Sequence, residues 1–174
     1  MPNTFELIAS STVGSGGASS VAFNSIPQTY TDLVIRASAR GSNGSVNSPF
    51  LIQFNALTSG YTGRSLYGSG SGAASDNNPY SANNRLFGGE GTGDTATANT
   101  FGVTDIYIPN YTGSTNKSTS SDSATENNAT TAYAVLAAAL SSNTAAITDI
   151  TITTYSGTTW KQYSTFYLYG VKNA

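Results

Sequence analysis

A chain of 174 residues fits one domain. Only 9% of the residues are charged and the net charge is −2. The chain therefore lacks the high net charge that is typical of disordered chains. Seven Lys and Arg residues are also too few for tight binding of a polyanion, so neither nucleic acid nor a membrane surface is an expected partner. Gly, Ser, Thr and Asn are interleaved with Tyr, Phe, Val and Ile, which predicts an all-β protein.

The first third of the chain alternates short strand patterns with turn signals. In residues 31–41, the side chains of Leu33, Ile35 and Ala37 repeat with the period of two that is typical of a half-buried strand. The Gly/Ser-rich stretch at 14–20 indicates a hinge, so residues 1–20 are predicted to form an N-terminal strand or arm. The predicted strands are 4–13, 21–26, 31–41, 49–55 and 60–68.

Residues 69–98 have a different composition, with two Gly-rich stretches and few apolar side chains. A segment of this length without a strand or helix pattern is uncommon in a compact domain, and such segments are usually functional. We predict a long loop or projection, with a simple flexible loop as the alternative. The Gly-rich stretches lack the Lys-Ser/Thr of a phosphate-binding loop.

Strand patterns resume at 101–113, where the alternation changes parity between Val103 and Ile106. A β-bulge near Thr104 and Asp105 would restore a single inward face. As a strand, residues 115–128 would carry polar side chains on both faces. The stretch is therefore predicted to be a solvated strand or a loop.

Residues 131–143 fit two structures. Tyr133, Leu136, Ala137 and Leu140 have helical spacing, and five alanines favour a helix. The surrounding β patterns favour a strand that is buried on both sides, and we predict a strand.

The chain ends with two further strand patterns, 146–157 and the closing strand in 164–174. In the closing strand Phe166 and Leu168 are expected in the core, whereas Tyr167, Tyr169 and Val171 form a second face that we take as a candidate subunit interface. The total of eight to ten strands predicts one domain, 1–174, an antiparallel β-sandwich with jelly-roll as the leading topology.

The residue types exclude most catalytic chemistry. No His or Cys is present, which excludes hydrolase triads, thiol catalysis and most zinc sites. Glu6, Glu90 and Glu126 are far apart in sequence and are interpreted as solvated carboxylates. We therefore expect a protein that is not an enzyme and has no catalytic residue, metal site or cofactor.

Exposed aromatic side chains are the residues that would stack on sugars. Trp160, Tyr155 and Tyr163 are the candidates, although an aromatic residue on a strand is more often part of the core.

Four segments carry a resemblance to a known class of protein: "SIPQTYTDLVIRASARG", "FGVTDIYIPNYTG", "ATENNATTAYAVLAAAL" and "STFYLYGVKN". They resemble small virion structural proteins of tailed bacteriophages, either jelly-roll head decoration (cement) proteins or tail-associated components. The resemblance is weakest in 69–98 and includes no motif of chemistry. It implies a strand at 131–143.

The resemblance leads to two hypotheses of function. The first is a capsid decoration protein, a homotrimer that bridges subunits of the major capsid protein and stabilises the head. The alternative is a tail or fibre-tip module that binds host surface glycans. The start "MPNTFELIAS" lacks the pattern of a signal peptide, so we expect synthesis in the host cytoplasm and a final location in the virion.

Overall fold

The computed structural model describes residues 4–77, 84–126, 128, 131–155 and 157–172. The described residues form twelve β-strands and no helix. The strands are β1 (Phe5–Thr12), β2 (Ser20–Phe23), β3 (Asp32–Ala39), β4 (Asn47–Phe54), β5 (Tyr61–Gly68), β6 (Ala73–Asn77), β7 (Leu86–Thr92), β8 (Gly102–Ile108), β9 (Lys117–Thr125), β10 (Tyr133–Ser141), β11 (Ile150–Thr153) and β12 (Thr165–Val171).

The strands form two antiparallel sheets that pack as a sandwich. The larger sheet has eight strands in the order β1-β12-β3-β8-β9-β10-β5-β6, and the smaller has four in the order β2-β11-β4-β7. This confirms the predicted all-β antiparallel sandwich. The chain crosses repeatedly between the sheets and pairs its first strand with its last, which is consistent with a jelly roll.

The core between the sheets centres on three aromatic rings. Trp160 lies 4.7 Å from Phe50 and 5.4 Å from Phe166, measured between ring centroids, and all three side chains are fully buried. Phe166 and Leu168 were both predicted to be core residues, and both are buried.

The strand predicted in 131–143 is confirmed by β10, but its predicted burial on both sides is wrong, because Leu136 is 61% exposed. This strand pairs along its length with β9 on one side and β5 on the other. Ala137 and Ala139 lie on its buried face, and Ala134 and Ala138 on its exposed face. Pairing on both edges therefore outweighs the helix propensity of the alanines.

The prediction of a long loop at 69–98 is wrong for two segments, because β6 and the completely buried β7 lie within it. The glycines of β7 allow it to lie against other strands. A Cβ at Gly88 would lie 2.7 Å from Ile52 Cδ1, and one at Gly89 would lie 2.8 Å from Ser123 Oγ. At these two positions glycine leaves room for side chains of the facing strands, which is a use of glycine other than flexibility. Part of the predicted loop, 78–83, lies outside the described residues.

Residues 94–100, which include the end of the predicted loop, are held by one buried cation. The Arg40 guanidinium donates hydrogen bonds to the backbone oxygens of four residues, at distances of 2.8–3.1 Å. This segment is therefore fixed to β3. The acceptors are Asp94, Ala96, Thr97 and Thr100.

The bulge predicted in 101–113 is wrong, whereas β9 confirms the strand alternative for 115–128 with one of its two faces solvated. No bulge interrupts β8, which pairs in continuous register with β3 and leaves Val103 on the outside of the sandwich. The polar residues of β9 form a strand, but its inward hydroxyl side chains are buried under β7 rather than solvated, including Thr119, Ser121 and Ser123.

Candidate functional site

An exposed apolar surface covers part of the larger sheet on the side away from the core. Leu136 is 61% exposed, Leu66 60% and Val103 54%. Leu136 lies directly opposite Leu66 in the β10–β5 pairing. Val103 lies opposite Ala124 in the β8–β9 pairing, and Ala124 in turn lies opposite Ala134 in the β9–β10 pairing. We call these five residues the apolar outer face. A contiguous exposed apolar patch on a protein surface is often an interaction site.

Two shallow depressions border the Leu66–Leu136 pair. One, of about 620 Å³, extends toward Arg64 and Asp122, and the other, of about 540 Å³, toward Val103. The surface is therefore uneven, with concave regions beside the two leucines.

Charges of both signs border the apolar outer face. Arg36 forms an ion pair with Asp105 at 3.2 Å, and Asp105 lies opposite Asp122 in the β8–β9 pairing. Like charges in opposed positions destabilise a sheet. Among the ion pairs of the described residues, none includes Asp122. Asp122 is thus a site where a cation from a partner would be favourable.

Two of the three interface residues predicted on the closing strand, β12, lie on the same side of the larger sheet. Tyr167 is 37% exposed and Tyr169 is half-buried, with stacked rings whose centroids are 6.4 Å apart. Val171 is buried within the chain, paired with Asp32 and Phe5. Its assignment to the interface is therefore wrong, whereas the two tyrosines remain accessible.

The three candidate glycan-stacking residues lie in different environments. Trp160 is fully buried in the aromatic core, so its assignment is wrong. Tyr155 and Tyr163 are 51% and 69% exposed. Tyr163 alone of the three lines a depression of about 530 Å³, together with Asn99 and Lys161. Its φ of 71° is uncommon for a bulky side chain, and strained residues of this kind cluster at functional sites.

The third feature is Glu90 on β7. Its interpretation as a solvated carboxylate is wrong. The side chain is buried, and its Oε2 atom has no hydrogen-bond partner. Burial raises the pKa of Glu90 to about 8, an effect that a hydrogen bond with Asn47 partly offsets. Sequence patterns missed this residue because its neighbours are glycines, which were interpreted as loop residues.

Glu90 lies at the wall of a cavity of about 190 Å³ between the edges of the two sheets. The other lining residues are Asn47, Ser65, Tyr67, Asp76, Phe87, Tyr133 and Val135. No group of three or more His, Cys, Asp or Glu side chains in the described ranges could hold a metal ion.

Comparison with protein-family models, curated proteins and solved structures found no significant match to this chain. Within the described ranges, no helix is long and apolar enough to cross a membrane.

Proposed function

We propose that the protein is a virion structural protein of a tailed bacteriophage, a capsid decoration protein that assembles through the apolar outer face. The phage assignment rests on the sequence resemblance. The single structural observation that supports the mode of action is the exposed Leu66–Leu136 pair with Val103 beside it.

The occupant of this face that the charges favour is another copy of the same chain. Arg36 and Arg64 lie on the same side of the sheet as Asp105 and Asp122. A second copy can therefore supply both an apolar surface and charges of the opposite sign. The net charge of the chain is only −2, so copies of it repel each other weakly.

The expected stabilisation is modest for each contact and large for the particle. Full burial of a Leu side chain contributes about 1.5–3 kcal/mol, so the exposed part of Leu136 would contribute about 1–2 kcal/mol. A stable interface of about 1,200–2,000 Å² needs the surrounding alanines and polar side chains as well. Repetition over many capsid sites multiplies the effect, and the oligomers bridge subunits of the major capsid protein.

Two measurements test this proposal. Sedimentation of the pure protein should show an oligomer, expected to be a trimer, and Leu136→Asp should raise its dissociation constant at least about 5–30-fold, from the 1–2 kcal/mol above. The control is Tyr155→Asp, since Tyr155 is 51% exposed and follows β11 of the smaller sheet, away from the apolar outer face.

The assignment to a phage particle is tested separately, by the copy number of the protein. Quantitative mass spectrometry of purified particles should find the protein in many copies, in proportion to the major capsid protein. A few copies per particle, or equal dissociation constants for the Leu136→Asp variant and the native protein, would contradict the proposal.

The tail or fibre-tip module remains a second candidate because of Tyr163. Its exposed ring, its positive φ and the adjacent polar depression suit stacking on a sugar. On a glycan array, Tyr163→Ala should abolish binding and Tyr155→Ala should leave it unchanged. An array without any bound glycan would eliminate this candidate.

A further inference from the structure

The cavity beside Glu90 lies where the smaller sheet ends. β7 is the edge strand of that sheet and packs on β10, and the larger sheet continues past it with β5 and β6. Ser65 on β5 lies opposite Asp76 on β6, and Tyr67 lies opposite Val135 on β10. These side chains form one wall of the cavity, and Glu90 lies on the other.

The unpaired oxygen of Glu90 has no structural benefit. A buried polar atom without a hydrogen bond costs about 1–3 kcal/mol, and buried polar atoms in native proteins nearly always have a partner. Glu90 is only 6% exposed and its Oε2 atom has almost no accessible surface, so a partner in the adjoining cavity would reach that oxygen through a small shift of the side chain.

The lining indicates the charge of that partner. Asp76 is a second carboxylate, and no Lys or Arg is among the lining residues. The rings of Tyr67 and Tyr133 lie 6.2 Å apart at an interplanar angle of 51°. Carboxylates and the faces of aromatic rings both attract cations.

The size of the cavity and its apolar residues limit the type of cation. A volume of about 190 Å³ is larger than a single ion or water molecule needs. A bare metal ion would leave most of this space, and the sides formed by Phe87 and Val135, without contacts. A small organic cation would contact both the acidic and the apolar sides.

We propose that the cavity binds a small organic ammonium ion, which the Glu90 carboxylate pairs with and the rings of Tyr67 and Tyr133 contact. This site does not depend on the proposed capsid function.

Binding should be coupled to the ionisation of Glu90. The titratable groups that line the cavity are Asp76 on β6, Tyr67 on β5 and Tyr133 on β10, while β4 contributes the neutral Asn47. With a pKa of about 8, Glu90 is about 1% ionised at pH 6 and half ionised at pH 8. If the cation binds only the ionised form, affinity should rise about 50-fold between these values, with release of about one proton at pH 6 and about half a proton at pH 8.

The test is calorimetric titration of the full chain with tetramethylammonium chloride, with tert-butanol as a neutral probe of similar shape. We expect binding of tetramethylammonium that strengthens about 50-fold from pH 6 to pH 8, and no binding of tert-butanol. Glu90→Gln should weaken binding at pH 8 at least tenfold. Glu126→Gln removes the same charge from an exposed position and should change nothing.

Thermal melting of both variants establishes that they are folded, so loss of binding can be assigned to the cavity. The proposal is overturned if tetramethylammonium does not bind the native protein, if tert-butanol or a neutral monosaccharide binds equally well, or if Glu90→Gln binds as tightly as the native protein at pH 8.

Discussion

Replacement of Glu90 by Gln should remove a specific pH dependence of stability. The pKa of the buried carboxyl is raised from 4.5 to about 8, mainly by desolvation. In the unfolded chain Glu90 ionises near pH 4.5, whereas the folded protein keeps its proton until about pH 8. The free energy of unfolding should therefore be unaffected by Glu90 below pH 4.5 and should decrease as the pH rises toward 8.

The size of this decrease follows from the shift. Each pH unit between the two pKa values corresponds to about 1.4 kcal/mol, so the full effect is on the order of 5 kcal/mol. Gln has nearly the same shape and does not ionise. The Glu90→Gln variant should equal the native protein in stability at pH 4.5 and exceed it by several kcal/mol at pH 8.

Urea unfolding at pH 4.5, 6, 7 and 8 measures the difference, in buffers without amines so that no ammonium ion occupies the cavity. Glu126→Gln controls for loss of one carboxylate, because Glu126 is exposed. The reasoning is refuted if the stability of Glu90→Gln and of the native protein changes in parallel over this pH range.

Three substitutions test the packing. Gly88→Ala should lower the free energy of unfolding by about 1–3 kcal/mol in urea titrations because its Cβ would contact Ile52, whereas Gly16→Ala, with open space around it, should not. Arg40→Met should speed proteolysis in 94–100 and lower the free energy of unfolding by at least about 1–3 kcal/mol, because it leaves backbone oxygens without a donor, whereas Arg36→Met at an exposed ion pair should change it little. Trp160→Ala should lower the midpoint of thermal unfolding and cost about 3–5 kcal/mol, and a smaller loss would contradict its place in the core.

The sequence predicted the fold class because strand periodicity and turn residues are local signals. The closing strand illustrates this, since Phe166 and Leu168 alternate with tyrosines and both are buried. The same logic gave the right structure for β10 only when the surrounding strands were considered. Its alanines alone favour a helix, and pairing with β5 and β9 decides the outcome.

The errors arose where tertiary packing changes the meaning of a residue. Gly88 and Gly89 resemble loop residues, but they allow β7 to approach its neighbours closely. Because β7 was predicted as loop, Glu90 was interpreted as solvated. Trp160 was offered as a sugar-stacking residue, but its ring fills the core beside Phe50, and no local pattern distinguishes the two positions.

The candidate interface was partly predictable. The change of parity in 101–113 was interpreted as a bulge that would turn Val103 inward, but β8 is regular and Val103 is exposed. The parity change was in fact a signal of the apolar outer face. Recognising it would have required a reason to expect an exposed aliphatic side chain.

Cryo-electron microscopy of the particle that carries this chain is the most direct test of the proposed function. We expect oligomers of the sandwich bound across capsid subunits, with Leu66 and Leu136 buried between neighbouring copies. Density for the chain only at the tail, or oligomers on the capsid whose Leu66 and Leu136 side chains face solvent, would contradict it.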